Sequence, residues 1–230
     1  MAVDIAANLA AVRSRVAAAA IRAGRDPSEV TLVTVSKTVS PAVVREAVAC
    51  GATDLGENRA QEFRDKYALL GPLAHWHFIG QLQTNKVKYL VEKVKLIHSV
   101  DRMAVAIEVE RLAKQAAIQQ SVLVEVNIAG EHSKSGVRLD EAVALVDSLR
   151  PLSHVRIIGL MTVAPLAADP EAARPHFRRL RGLAEEIAAR GWPEVEMTQL
   201  SMGMSGDFEV AVEEGATLIR VGTAIFGPRA

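Results

Sequence analysis

The chain has 230 residues, half of them apolar and 23% charged, the composition of a soluble α/β domain with one substantial core. Its 27 basic and 27 acidic residues cancel, which argues against nucleic acid as the main partner, because phosphate backbones are bound by clustered positive surplus. The single cysteine, Cys50, excludes an intramolecular disulfide and fits a reducing compartment. The N-terminus carries Asp4 and no basic run of a signal peptide. The longest charge-free stretch, 67–85, is broken by Gly71, Pro72, His75, His77, Gln81 and Gln83, so no membrane span is expected. A cytoplasmic protein that does not engage membranes follows.

Ahead of the first strand, Ile5, Leu9, Val12 and Val16 fall at helical spacing and form one apolar face that must dock on the rest. Strands are expected at 32–36, 54–55, 76–79, 96–99, 122–127, 156–161, 197–200 and 218–221. None alternates cleanly with polar residues, the pattern of parallel strands buried on both faces. Between the first two, Ser40 caps a helix that Pro41 opens and Gly51 follows. Gly191 and Gly215 stand just past two further helices, where a left-handed residue is wanted. Eight strands, each followed by a helix or helical turn, predict a (β/α)8 barrel of the TIM type with an extra N-terminal helix. A doubly wound sheet fits less well, since Lys37-Thr38-Val39-Ser40 after the first strand contains no phosphate-binding glycine. No linker or low-complexity segment is visible, and a single domain over residues 1–230 is expected.

In such barrels chemistry sits at the C-terminal ends of the strands. The first ends in Lys37. Partial desolvation there lowers an amine's pKa and favours a Schiff base with a carbonyl; the alternative is a solvated lysine at a strand end. The second runs into Gly56-Glu57-Asn58, where Asn58 can bond a ligand and Glu57 is expected to favour the next helix N-terminus. His75 and His77, two apart, share a face of the third strand. With no carboxylate or cysteine near them in sequence, a metal site is not expected, and lining or structural histidines are. After Asn127 a loop His132-Ser133-Lys134-Ser135-Gly136 offers a second lysine, either at the barrel mouth or solvated.

The last two strand ends say more. Ser201-Met202-Gly203-Met204-Ser205-Gly206 and Gly222-Thr223 place hydroxyls and glycines before helical turns, where backbone N–H groups bind phosphate; plain turn chemistry is the alternative. Arg220 lies inside an apolar strand and needs a partner, because an unpaired buried charge costs several kcal/mol. A phosphate, a heterocycle acceptor or a structural carboxylate would serve. A lysine on strand one facing an anion cradle on strands seven and eight suits one ligand with an aldehyde and a phosphate, pyridoxal 5'-phosphate (PLP), or alternatively the sugar phosphate of a Schiff-base aldolase.

Several motifs in register resemble the pyridoxal phosphate homeostasis protein family. They are Val35-Ser36-Lys37-Thr38, Leu55-Gly56-Glu57-Asn58 with Gln61-Glu62, and His75-Trp76-His77-Phe78-Ile79-Gly80-Gln81-Leu82-Gln83. Further on come Ser133-Lys134-Ser135-Gly136, Gly159-Leu160-Met161, Leu200-Ser201-Met202-Gly203-Met204-Ser205 and Arg220-Val221-Gly222-Thr223-Ala224-Ile225-Phe226-Gly227. The resemblance implies a barrel like the N-terminal domain of alanine racemase, with PLP on Lys37. It also implies a role in vitamin B6 and amino-acid homeostasis. Ser201, Ser205, Gly222 and Thr223 would lie around the phosphate, and Arg220 at the pyridine nitrogen or the phosphate; Asn58 and His77 complete the expected set. Many relatives carry Lys-Pro where this chain has Val39-Ser40, and some end in a basic tail where it has Pro228-Arg229-Ala230, leaving Lys134 as the secondary lysine. A two-base racemase needs a second acid/base, but Tyr67 and Tyr89 stand at no expected strand end. A cofactor carrier, monomeric and delivering to apo PLP-dependent enzymes, is therefore expected over a weak racemase or an aldolase.

Overall fold

Among the described residues nine strands, all parallel, carry the architecture, and eight of them close on themselves. The computed structural model describes residues 3–131 and 134–228, so His132 and Ser133 of the Lys134 loop, and Arg229 and Ala230 at the end, lie outside the described residues. The strands are β1 (Thr31–Val35), β2 (Asp54–Glu57), β3 (His75–Phe78), β4 (Leu96–Val100), β5 (Gln120–Asn127), β6 (Val137–Arg138), β7 (Val155–Met161), β8 (Val195–Met204) and β9 (Leu218–Val221). Hydrogen bonding runs β1-β2-β3-β4-β5-β7-β8-β9, and β9 pairs back with β1 through Thr31↔Leu218 to Thr34↔Val221. This is the expected parallel (β/α)8 barrel, with helices around it. The two-residue β6 adds to the edge of β5; so short a segment shows no periodicity and was not expected from sequence.

The helices are α1 (Ile5–Arg22), α2 (Pro41–Ala49), α3 (Ala60–Leu70), α4 (Met103–Gln115), α5 (Ala142–Leu149), α6 (Arg174–Ala188), α7 (Phe208–Glu213) and α8 (Thr223–Phe226). After β3 the chain makes a 3-10 turn over Thr84–Tyr89. Ser40 caps α2 through a bond from the Val43 N–H with Pro41 at the first helical turn, and Gly51, Gly191 and Gly215 take φ of 93°, 65° and 99°, as their positions require.

Alternation along the strands sorts side chains into two cores. Trp76, Phe78, Leu55, Ile97 and Ile219 point outward into a large cluster shared with the helices. Val33, Leu96, Leu123, Met161 and Leu218, one each from β1, β4, β5, β7 and β9, form a separate small cluster inside the barrel. Beside Val35, the next inward positions toward the C-terminal ends include the polar His77, His98, Glu125, Ser201 and Arg220, all buried. The barrel interior is thus apolar in one layer and largely polar in the other.

α1 docks as its apolar face dictates, burying Ile5, Leu9, Val12 and Val16. It packs on α7 and α8, and Asn8 donates to the Ile225 carbonyl at 2.9 Å. Arg15 and Arg22 pair with Glu209 and Glu213 at 2.7 Å. The N-terminal helix therefore braces the segment that follows β9.

Candidate functional site

Lys37 follows β1 on the same face as Val33 and Val35, so it projects at the C-terminal mouth of the barrel. A cavity of about 430 Å³ lies there, its wall including Lys37, Asn58, Gly80, Ser205, Arg220, Gly222 and Thr223. A second, of about 520 Å³, shares Lys37, Gly222 and Thr223 and extends past Ser40 and Glu46 to Phe226. Lys37 and the Gly222-Thr223 turn form the divide between them. Six chain segments distant in sequence meet at this mouth, the sixth running from Val163 to Ala173, which is what barrel closure accomplishes.

The turn after β9 presents donors. The N–H groups of Gly222 and Ala224 both point at the Ser205 hydroxyl, each at 3.3 Å, so Ser205 and the start of α8 converge on one point at the cavity wall. Across it, Gly80 comes so close to Asn58 that a Cβ there would lie 2.1 Å from the Asn58 carbonyl oxygen. Only glycine permits that approach.

Arg220 is 4% exposed. Its Nη1 donates to Ser201 Oγ at 2.5 Å and its Nη2 to the Thr162 carbonyl at 2.8 Å. Burial lowers its pKa to about 10, with the charges of Glu125 and Asp207 opposing that shift. It remains cationic at neutral pH and reaches the cavity wall. Ser201 and His77 are placed differently from the sequence expectation: neither lines either cavity. Both are sealed in the barrel, Ser201 behind Arg220 and His77 deeper, because their side chains are bonded to inward-facing neighbours, Ser201 to Arg220 and His98 and His77 to His98 and Asp54, while the longer Arg220 side chain reaches the wall.

Glu57 also departs from its expected capping role. β2 runs through Glu57, and alternation from Leu55 turns its fully buried side chain outward against α3. There Glu57 Oε1 accepts from the Ser36 hydroxyl at 2.6 Å and from Lys66 Nζ at 2.7 Å. Lys66 also donates to the Ser36 carbonyl and to Glu62, and Glu62 accepts the Thr38 N–H. α3 itself starts after Arg59 with no side-chain cap bond. This buried cluster grips both residues flanking Lys37, including Thr38 in its left-handed conformation at φ 65°.

Lys134 pairs with Glu131 at 2.9 Å and lines a smaller cavity of about 260 Å³ with Glu125, Asn127, Ser135 and Val163. Val163 is also in the wall of the Lys37 cavity, so the two hollows are neighbours. Asn127 holds the Lys134 loop by donating to the Glu131 and Lys134 carbonyls. Burial, with the charge of Asp101, raises the Glu125 carboxyl to about 7 against the pull of Arg220. Sequence reasoning passed over Glu125, Asp54, His98 and Asp207. For His98 the signal was present: an ionisable side chain between Ile97 and Ser99 in an apolar strand is the pattern that marks Arg220. Among the described residues, no three His, Cys, Asp or Glu side chains are grouped to hold a metal ion.

These features define a class: a lysine-bearing parallel barrel whose residues 6–230 match the family model "Alanine racemase, N-terminal domain". The pyridoxal phosphate homeostasis protein of Aquifex aeolicus is 49% identical over 96% of this chain and 96% of its own length, and that of Escherichia coli 39% identical over 98% and 97%. The chain belongs to the pyridoxal phosphate homeostasis protein family. The solved structure of PipY from Synechococcus elongatus with PLP bound superposes with a TM-score of 0.85 at 37% identity, covering 97% of this chain and all of that one.

Proposed function

We propose that the chain binds PLP in the Lys37 cavity, attached through the Lys37 Nζ, and serves vitamin B6 homeostasis by holding the cofactor and handing it on. The observation that carries this reading is the meeting, at one cavity, of an amine, an anion cradle and a buried guanidinium. Lys37 would take the aldehyde carbon. Ser205, Gly222, Thr223 and the Ala224 N–H would take the phosphate, Asn58 a polar edge, and Arg220 the ring. The volume suits a small ligand. PLP supplies a reactive aldehyde and an electron-accepting ring.

The carrier reading has support of its own. A charged Arg220 beside the pyridine disfavours its protonation and so weakens the electron sink that PLP enzymes use. Neither tyrosine belongs to the cavity wall: Tyr67 packs on Phe63 and Trp76, and Tyr89 sits among Arg64, Lys86 and Lys88. A tyrosine acid/base for racemisation is therefore not available from these positions. Among the described residues no helix is long and apolar enough to cross a membrane. In this reading the barrel acts as one domain and as a monomer in the cytoplasm, with apo PLP-dependent enzymes as recipients.

The test is the visible spectrum of protein incubated with PLP, before and after borohydride. Wild type is expected to show a band near that of other lysine-bound PLP, bleached and fixed by reduction, and Lys37→Ala to lack it. Delivery of the cofactor to an apo-enzyme, with no turnover of amino acids, completes the expectation. A band that survives in Lys37→Ala, or no band at all, overturns the reading.

A further inference from the structure

A line of hydrogen bonds crosses the barrel beneath Arg220. Ser201 Oγ, which accepts from Arg220, lies 2.8 Å from His98 Nδ1. His98 Nε2 lies 2.9 Å from His77 Nδ1, and His77 Nε2 2.9 Å from Asp54 Oδ1. Asp54 opens β2, at the barrel end opposite the cavity, where Lys95 reaches it at 3.3 Å and His75 at 3.5 Å. Five side chains from five different strands or strand ends thus join the two ends of the molecule.

We propose that Asp54 is a positioning residue for Arg220, acting through His77, His98 and Ser201 as a hydrogen-bond chain of fixed direction. The proposal rests on the reading that Arg220 faces bound PLP.

The direction follows from the donors. Arg220 can only donate, so Ser201 Oγ accepts from it and its own proton is free to point at His98 Nδ1. A neutral His98 then carries its proton on Nε2 and donates to His77 Nδ1. His77 in turn carries its proton on Nε2, facing the Asp54 carboxylate, which can only accept. Every contact is satisfied with two neutral imidazoles, a cation at one end and an anion at the other. The reverse direction would place His98's proton on Nδ1 and require an imidazolium at His77. Burial opposes that, depressing His77 against the pull of Asp54, and depressing His98 well below the usual imidazole range with the charges of His77 and Arg220 adding to it. Burial would raise the Asp54 carboxyl, but bonds from His77 and Thr53 and the charge of Lys95 outweigh it. Asp54 therefore stays an anion and fixes both tautomers.

The consequence for the site is orientational. Arg220 has two of its donors committed, to Ser201 and to the Thr162 carbonyl, and the acceptor strength of Ser201 depends on where its own proton goes. With Asp54 ionised, that proton is drawn toward His98 and the Ser201 lone pairs face Arg220. The guanidinium is held in one plane at the cavity wall. Without the anion the chain has no preferred direction, and the hold of Ser201 on Arg220 weakens, leaving the Thr162 carbonyl as its remaining bond of the two.

Two measurements decide this. In wild type without cofactor, nitrogen-detected NMR of the imidazoles at pH 7 should show both His77 and His98 neutral and protonated on Nε2. Protonation of His98 on Nδ1 overturns the proposal whatever the protein does with PLP. The second compares PLP dissociation constants, with added PLP as the probe. Asp54→Asn and His77→Leu should weaken binding about fivefold to tenfold and shift the band of bound PLP. His77→Gln, which keeps one acceptor and one donor, should stay within about twofold of wild type. A packing role would rank leucine at least as well as glutamine, so equal affinities for the two His77 variants overturn the proposal. The same comparison stands if Asp54→Asn does not fold. If wild type takes up no PLP, the proposed function fails, while the imidazole protons still decide the chain.

Discussion

Glu125 shows how much a single inward side chain depends on the barrel around it. The residue is 6% exposed, and its Oε2 has no hydrogen-bond partner among the described residues. Burial raises it from 4.5 to about 7. The folded state then binds a proton more tightly than the unfolded chain, so stability is greatest below the unfolded value and falls as pH rises from about 4.5 through about 7. Replacing it with glutamine should raise stability by up to about 3 kcal/mol at pH 8 and by nearly nothing at pH 4. Urea denaturation of wild type and Glu125→Gln at the two pH values measures this. An advantage independent of pH would mean that the carboxyl is ionised in the fold at both.

At the scale of elements, α3 and the β1–Lys37 junction are held by a buried ion pair, not by apolar contact alone. Lys66 and Glu57 are both buried, at 2.7 Å, with Glu62 as a second carboxylate on the same amine. Removing one partner strands a charge away from water, which costs about 3–5 kcal/mol, whereas replacing both with apolar groups is often neutral. Lys66→Met should therefore destabilise the protein by about 3 kcal/mol, and Lys66→Met combined with Glu57→Leu should recover most of that loss. Chemical denaturation gives both values. A single variant costing under about 1 kcal/mol would show the pair to be solvent-relaxed. Because this cluster also binds the Ser36 carbonyl and, through Glu62, the Thr38 N–H, the single variant should weaken PLP uptake as well.

For the whole molecule, the N-terminal helix is part of the barrel's support and not an appendage. Leu9 is 1% exposed against the main core, and α1 touches α7 and α8, the helices that follow the Ser205 and Gly222 turns after β8 and β9. Leu9→Ala should cost about 3 kcal/mol, read as a lower denaturation midpoint at unchanged slope. A loss below about 1 kcal/mol would mean that α1 adds little to the fold.

The sequence alone determined the barrel, the docking face of α1 and the candidates at the strand ends. Those features are written in local signals: continuous apolar runs, caps and glycines, and a charge inside an apolar strand, each decided within a few neighbouring residues. Lys37, Asn58, Ser205, Gly222 and Thr223 were legible because they stand at or beyond strand ends, where position in the chain fixes position at the mouth. Partnerships across strands were not legible. Whether Glu57 caps a helix or pairs with Lys66 depends on where β2 ends, and whether His77 and Ser201 line a cavity or lie behind Arg220 depends on depth in the barrel. The path from Asp54 to Arg220 exists only after β2, β3, β4, β8 and β9 are curled into one wall. Burial then makes those contacts decisive, because a polar group removed from water must find its partner in another strand.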